Sequence, residues 1–271
     1  MPDSLVFTDI HCHLAPSIDD GAKSWDETLA MARIAVDEGI GTIICTPHQC
    51  GSFSHNTAER IRQLVTEVQS QLDDASIPLK VLAGADVRIE PNLVAMLRRG
   101  DVLTLADRGR HVLLELPHEV YLPLEKLLDD LRAVKVLGIL SHPERNEGIL
   151  ARPAMLTPLV EAGCLMQVTA GSLIGAFGPQ VQQAAENFVQ QGLVHFISTD
   201  AHGPKSRRPL MRQAFDRCAQ LVGEAAATVM FCTNPTAIAA GHDVKTGRLS
   251  VQPRSKASSA LAGWFGRRQP A

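Results

Sequence analysis

The chain has 271 residues, 45% of them hydrophobic and 20% charged, and a net charge of −3. That length supports one substantial core, and the near-balanced charge offers no broad basic face for nucleic acid. No apolar run reaches the ~18 residues of a membrane span, and the N-terminus lacks the charged and apolar regions of a secretory signal. A cytoplasmic protein without stable membrane insertion is therefore expected.

The chain opens on a short apolar run, Leu5 to Phe7, followed by Thr8-Asp9-Ile10-His11-Cys12-His13. In an extended strand, residues i and i+2 share a side, so His11 and His13 offer two imidazoles to one point. Cys12 alternates to the other face and is expected to pack. A loop with the run Asp19-Asp20-Gly21 follows. Ser24, with Glu27 three residues on, predicts a capped helix that Gly39 ends. Thr42 to Thr46 reads as a buried strand delivering Pro47-His48. Ile61, Leu64, Val65, Val68 and Leu72 predict a helix over 56–72. A third strand is expected over 79–89, carrying Asp86. Pro91 opens a short helix to Arg99, and a strand over 111–116 carries Glu115. A helix over 122–136 precedes the strand 138–141, which leads into His142-Pro143-Glu144-Arg145. Further helices are expected over 155–162 and 180–191, with a strand over 164–169 between them. The strand 194–198 ends in Thr199-Asp200-Ala201-His202, and helices over 209–222 and 235–240 complete a domain spanning 1–241. Residues 242–271 are polar and basic without periodicity and read as a flexible tail. Within it, Ala260 to Phe265 with Arg267 and Arg268 form a short apolar-basic patch, a candidate contact with a partner or a membrane surface.

Short apolar strands alternating with amphipathic helices predict an α/β fold with a parallel sheet covered by helices. Five of the ten histidines stand where apolar strands end: His11, His13, His48, His142 and His202. Asp20, Asp86, Glu115 and Asp200 occupy equivalent places, whereas His55, His111, His118, His195 and His242 do not. A barrel gathers such positions at the C-terminal ends of its strands, and an open sheet would spread them along an edge. No G-x-G-x-x-G loop supports an open sheet, so a distorted barrel of about seven βα units is expected.

Imidazoles with carboxylates suit zinc, iron or manganese. Nine candidate ligands exceed one four-coordinate zinc and fit a cluster of two or more ions. Such a cluster activates water and neutralises charge on a phosphoryl or carbonyl oxygen. Arg145 and Arg207 favour the phosphoryl group, because a guanidinium binds phosphate through a fork. An ion pair of Arg145 with Glu144 or Glu147 is the alternative. Arg207 stands in a basic run with Lys205 and Arg208, and chemistry alone does not separate it from Arg208. The six cysteines form no C-x-x-C pair. None has an arginine six residues later, so the loop of cysteine-dependent phosphatases is absent.

The segments Thr8 to His13, Ile18-Asp19-Asp20-Gly21, Thr46-Pro47-His48, Ser141 to Arg145, Ser198 to His202 and Thr233-Asn234-Pro235 together resemble the PHP (polymerase and histidinol phosphatase) superfamily. More narrowly, they resemble its bacterial metal-dependent protein-tyrosine phosphatases associated with capsule and exopolysaccharide synthesis. The resemblance implies a distorted (β/α)7 barrel with two to three divalent ions, manganese first, with iron, zinc or magnesium as alternatives. It implies that His11, His13, Asp20, His48, Glu115, His142, Asp200 and His202 are ligands. Asp86 stands where the pattern places a bridging glutamate, one methylene longer. Arg145 and Arg207 take the phosphate-clamp positions. The implied reaction is attack of a metal-bridging hydroxide on phosphorus. The implied substrate is the phosphotyrosine tail of a polysaccharide-assembly kinase. A small-molecule phosphatase of the histidinol-phosphate type, a non-catalytic phosphotyrosine-binding regulator and an amidohydrolase are the rival readings. No lysine sits where an amidohydrolase carries a carbamylated one.

Overall fold

A computed structural model describes residues 5–252. The first turn is β1 (Phe7–Cys12), α1 (Trp25–Asp37) and β2 (Ile40–Cys45). Ser24 caps α1 by accepting from the Glu27 N–H, and Gly39 ends the turn at φ +87°, where a side chain would be strained. After β2, a two-residue piece, β3 (His48–Gln49), precedes α2 (Ala58–Asp74), β4 (Lys80–Ala83), β5 (Asp86–Arg88) and α3 (Leu93–Arg99). Next come β6 (His111–Glu115), α4 (Glu125–Ala133), β7 (Leu137–Ser141), α5 (Glu147–Ala151) and α6 (Leu156–Glu161). The last units are β8 (Leu165–Thr169), α7 (Ala170–Leu173), α8 (Pro179–Gln190), β9 (Phe196–Ser198), α9 (Arg212–Val222), α10 (Glu224–Thr228) and α11 (Asn234–Ala240).

Nine strand pieces make seven staves. The predicted strand 79–89 is broken at Gly84-Ala85, because Gly84 lies against Ile44: a Cβ there would meet Ile44 Cγ2 at 2.7 Å. Pairing nevertheless runs on, with Gly84 N–H donating to Cys45 O and Asp86 N–H to Pro47 O. β2 with β3 and β4 with β5 are thus continuous staves. All pairs are parallel, in the orders β1-β2-β4 and β3-β5-β6-β7-β8-β9. A parallel bridge between Cys12 and Ala201 joins the two edges. The fold is a distorted seven-stranded α/β barrel, as the alternation predicted.

One apolar layer fills the barrel. Ile10, Ile44, Leu113, Ile139, Leu165 and Phe196 come from six staves, with Leu82 partly buried from the seventh. Cys12 instead packs in the outer core between sheet and helices, although it lies two residues from Ile10. The pairing of β1 with β2 is irregular between Asp9 and Cys12. Such a bulge re-aims side chains, and here it lets Ile10 fill the barrel while His11 faces the mouth.

Of the segment 242–271, residues 242–252 fall among those described, and Val244 joins the inner layer. The patch at 260–268 lies outside the described residues. His195 is fully buried; its Nδ1 accepts from Met166 N–H, so its Nε2–H donates to Gly247 O at 2.9 Å. Burial pushes this imidazole down from 6.5 to about 4, against the opposing pull of Gly247 O. The folded state therefore resists a proton that the unfolded chain accepts. This stabilisation is complete above pH 6.5 and drains away as pH falls toward 4, worth about 3 kcal/mol at most. Urea unfolding at a series of pH values is expected to show a flatter acid limb for His195→Gln than for the native chain.

Candidate metal centre

The nine predicted ligands converge at the C-terminal ends of the strands. Asp200 Oδ1 lies 3.3 Å from His11 Nε2, 3.4 Å from His13 Nε2 and 3.6 Å from His202 Nδ1. Asp86 Oδ2 lies 3.6 Å from His11 Nε2 and 3.4 Å from His48 Nδ1. Glu115 Oε2 is 3.7 Å from His48 Nδ1, and Asp20 Oδ1 is 3.4 Å from both His48 Nε2 and His202 Nε2. His142 completes a group with His11 and Asp200. Donor atoms about 2.0–2.2 Å from a shared cation stand roughly this far from each other. Four donor groups result: His13-Asp20-His48-His202, His11-His142-Asp200, His11-His13-Asp86 and His48-Asp86-Glu115.

The residues fit divalent cations on two further observations. Among the described residues, neither oxygen of the fully buried Asp86 has a hydrogen-bond donor. A buried carboxylate without donors is costly unless a cation faces it. The histidines report the same excess of negative charge. Burial opposes a proton on His11 and on His48, yet Asp200 and Asp86 around His11, and Asp86 and Glu115 around His48, push each imidazole up to about 9. Burial and the neighbouring Asp86 push the Glu115 carboxyl up to about 7.

Backbone and buried polar groups hold these donors. His142 and Asp200 occupy left-handed backbone, at φ +32° and +50°, a strained conformation typical of functional positions. His13 Nδ1 meets Asp19 Oδ2 at 2.8 Å, and Asp19 also accepts from the backbone N–H of Gly21 and His48. Although burial opposes it, the His13 charge and these donors hold the Asp19 carboxyl at about 2. Gly21 allows this loop to close: a Cβ there would meet His13 O at 2.4 Å. His11 Nδ1 meets Gln167 Oε1 at 2.9 Å, which leaves Nε2 for the cluster. Asp9 accepts from the N–H of His11 and of Thr199, binding the first strand to the loop that carries Asp200. Asp9, Asp19 and Gln167 escape a search for ligands because they act on ligands. Their signal is a polar residue inside a buried run, plainest for Gln167 in Leu165-Met166-Gln167-Val168.

Both arginines reach Asp200. Arg145 Nη1 donates to Asp200 Oδ2, and Arg207 Nη2 donates to the same oxygen at 2.5 Å. Arg208 is exposed, so position rather than chemistry separates the pair. Arg207 Nε is buried without an acceptor among the described residues, a donor ready for an anion. The guanidinium of Arg145 lies 4.5 Å from the Phe177 ring centroid. Glu144, a possible partner for Arg145 from sequence, turns inward and accepts from Thr169 N–H and Ser172 Oγ.

A thiol mechanism finds no support. Burial pushes Cys45, Cys164 and Cys218 up to about 12, and Cys50 and Cys232 to about 11, whereas a nucleophilic cysteine needs the reverse.

Residues 7–240 match the family described as Capsular polysaccharide synthesis, CpsB/CapC. The chain belongs to this family. Tyrosine-protein phosphatase YwqE of Bacillus subtilis is 38% identical over 201 residues, 73% of this chain and 78% of that protein. Tyrosine-protein phosphatase CpsB of Streptococcus pneumoniae is 26% identical over 236 residues, 85% of this chain and 97% of that protein. A solved structure, from work describing YwqE of Bacillus subtilis and CpsB of Streptococcus pneumoniae as unique metal-dependent tyrosine phosphatases, superposes with a TM-score of 0.85. It is 33% identical, and the match covers 92% of this chain and 100% of that one.

Proposed function

We propose that this chain is a metal-dependent protein-tyrosine phosphatase, a phosphoric monoester hydrolase. The observation that carries the reading is the convergence of Arg145 and Arg207 on the rim of the donor cluster. His11, His13, Asp20, His48, Asp86, Glu115, His142, Asp200 and His202 would hold the cations. The four donor groups overlap through His11, His13, His48 and Asp86, so the same side chains cannot fill all four at once. Two to three ions are the number these residues serve, manganese first among iron, zinc and magnesium. Cations bound there supply an activated water and positive charge for phosphoryl oxygens.

The chain's own groups do the rest. Arg145 and Arg207 grip the phosphoryl oxygens, with the buried Arg207 Nε satisfied by one of them. Phe177 under Arg145 keeps that fork in place. Asp19 and Gln167 hold the imidazoles of His13 and His11 in their productive tautomers, and Asp9 ties the backbone of His11 to the loop that carries Asp200. The departing phenolate has a pKa near ~10, so the reaction needs less acid assistance than loss of an alkoxide. Asp20, at the rim, is 54% exposed, which suits a peptide better than an enclosed metabolite. The substrate we infer is the phosphotyrosine tail of a bacterial polysaccharide-assembly kinase, met in the cytoplasm. No helix among the described residues is long and apolar enough to cross a membrane.

Phosphate release from a phosphotyrosine peptide tests the reading. The manganese-loaded chain is expected to turn the peptide over much faster than histidinol phosphate. A chelator should lower the rate at least about a hundredfold, and added manganese should restore it. Hydrolysis that survives chelation would overturn the metal requirement. Full metal loading without turnover of either ester would leave a phosphotyrosine-binding regulator instead.

A further inference from the structure

Two hollows flank the donor cluster, and they differ in chemistry. One, of about 430 Å³, lies beside Asp20 and His202 and is walled by Lys23, Glu27, Lys205 and Arg207. The other, of about 300 Å³, opens beside His48 and Glu115 and is lined by Phe53, Arg88 and His118. In this second hollow the rings of Phe53 and His118 each lie flat against a cluster imidazole. Phe53 stacks on His48 with centroids 5.2 Å apart and planes 22° apart. His118 stacks on His142 at 5.5 Å and 25°.

Phe53 is held where it stands. Its N–H donates to Cys50 O at 2.9 Å, the Gly51 N–H donates to Glu90 Oε1 at 2.9 Å, and Asn56 Nδ2 donates to His48 O at 2.9 Å. Arg88 closes the floor through bonds from Nη1 to Glu115 Oε2 and to Leu116 O. A preformed hollow of this size, with aromatic walls and one cation, is the form a small-group pocket takes.

We propose that the hollow between Phe53 and His118 seats the aromatic ring of the substrate, and that these two side chains select aryl over alkyl phosphate monoesters. This rests on the phosphatase reading above. An ester whose phosphorus sits among the donors and between the arginines must place its organic group in a neighbouring hollow. The charged hollow presents two lysines, Glu27 and Arg207 and no aromatic wall beyond the cluster residue His202. The Phe53–His118 hollow has two ring systems, which gain from offset or edge contact with a third. An alkyl group would gain less there.

The test is direct binding to the manganese-loaded full chain. Phenylphosphonate and methylphosphonate share the anionic group and differ only in the organic one. Calorimetry is expected to show phenylphosphonate binding about tenfold more tightly, with the ratio falling toward one in Phe53→Leu and surviving in Phe53→Tyr. Leucine keeps the apolar bulk over His48, and metal content of each variant reports whether the cluster is intact. A native ratio near one, or a ratio that survives in Phe53→Leu, overturns the assignment. Turnover of p-nitrophenyl phosphate by the native chain is measured alongside. If that ester is not hydrolysed, the phosphatase reading fails, and the inference built on it falls too. Hydrolysis with no phenyl preference defeats the inference alone.

Discussion

Asp200→Asn is expected to lower turnover of a phosphotyrosine peptide by at least about 10³-fold while the barrel stays folded. The residue is the hub of the mouth. One oxygen faces His11, His13 and His202 at 3.3–3.6 Å, and the other receives both Arg145 and Arg207. Asparagine has nearly the same shape, so packing is little disturbed. It removes a full negative charge, however, and its amide puts a donor where every neighbour is itself a donor or a cation ligand. Asp200 is buried, so water does not replace the lost interaction. Metal content should fall together with turnover, and circular dichroism should show the native secondary structure. Full metal content with normal turnover would remove Asp200 from the site.

Much of this mouth is legible in the amino-acid sequence. Asp200 and His202 announce themselves because they follow a short apolar run, and His11 and His13 because they stand one residue apart where another such run ends, although His13 lies just past β1. The barrel is legible for a related reason: ligands repeated at strand ends need a sheet that closes. What the residues conceal is where regular geometry is broken. The irregular pairing between Asp9 and Cys12 separates Ile10 and Cys12 into different layers, and strict alternation cannot anticipate it. The break at Gly84-Ala85 comes from the approach of Ile44, a long-range packing fact. The π-helical turn Val229–Thr233, before α11, has no pattern to mark it. Side-chain partners are concealed as well. Glu144 stands next to Arg145 in the chain yet turns the other way, because the short helical turn at Pro143–Arg145 sends successive side chains to different sides.

Arg145→Ala is expected to cost about 10²–10³-fold in kcat/KM for the same peptide, with metal content close to native. The guanidinium is mostly buried, lies over Phe177, and meets Asp200 with one nitrogen. A guanidinium has five N–H donors, so others remain for phosphoryl oxygens. Loss of the side chain leaves Asp200 with Arg207, which keeps the carboxylate compensated, and so the donor cluster should survive. Arg145→Lys separates charge from shape. Lysine restores a positive charge, but it is a point charge without a fork and stacks poorly on an aromatic face. If planar recognition of the phosphoryl group is what Arg145 contributes, the lysine variant should recover only a small part of the loss. Recovery to near-native kcat/KM would reduce Arg145 to a counter-charge for Asp200. Loss of metal in the alanine variant would say the same by another route, since a residue that only grips substrate leaves cation binding to the imidazoles and carboxylates behind it.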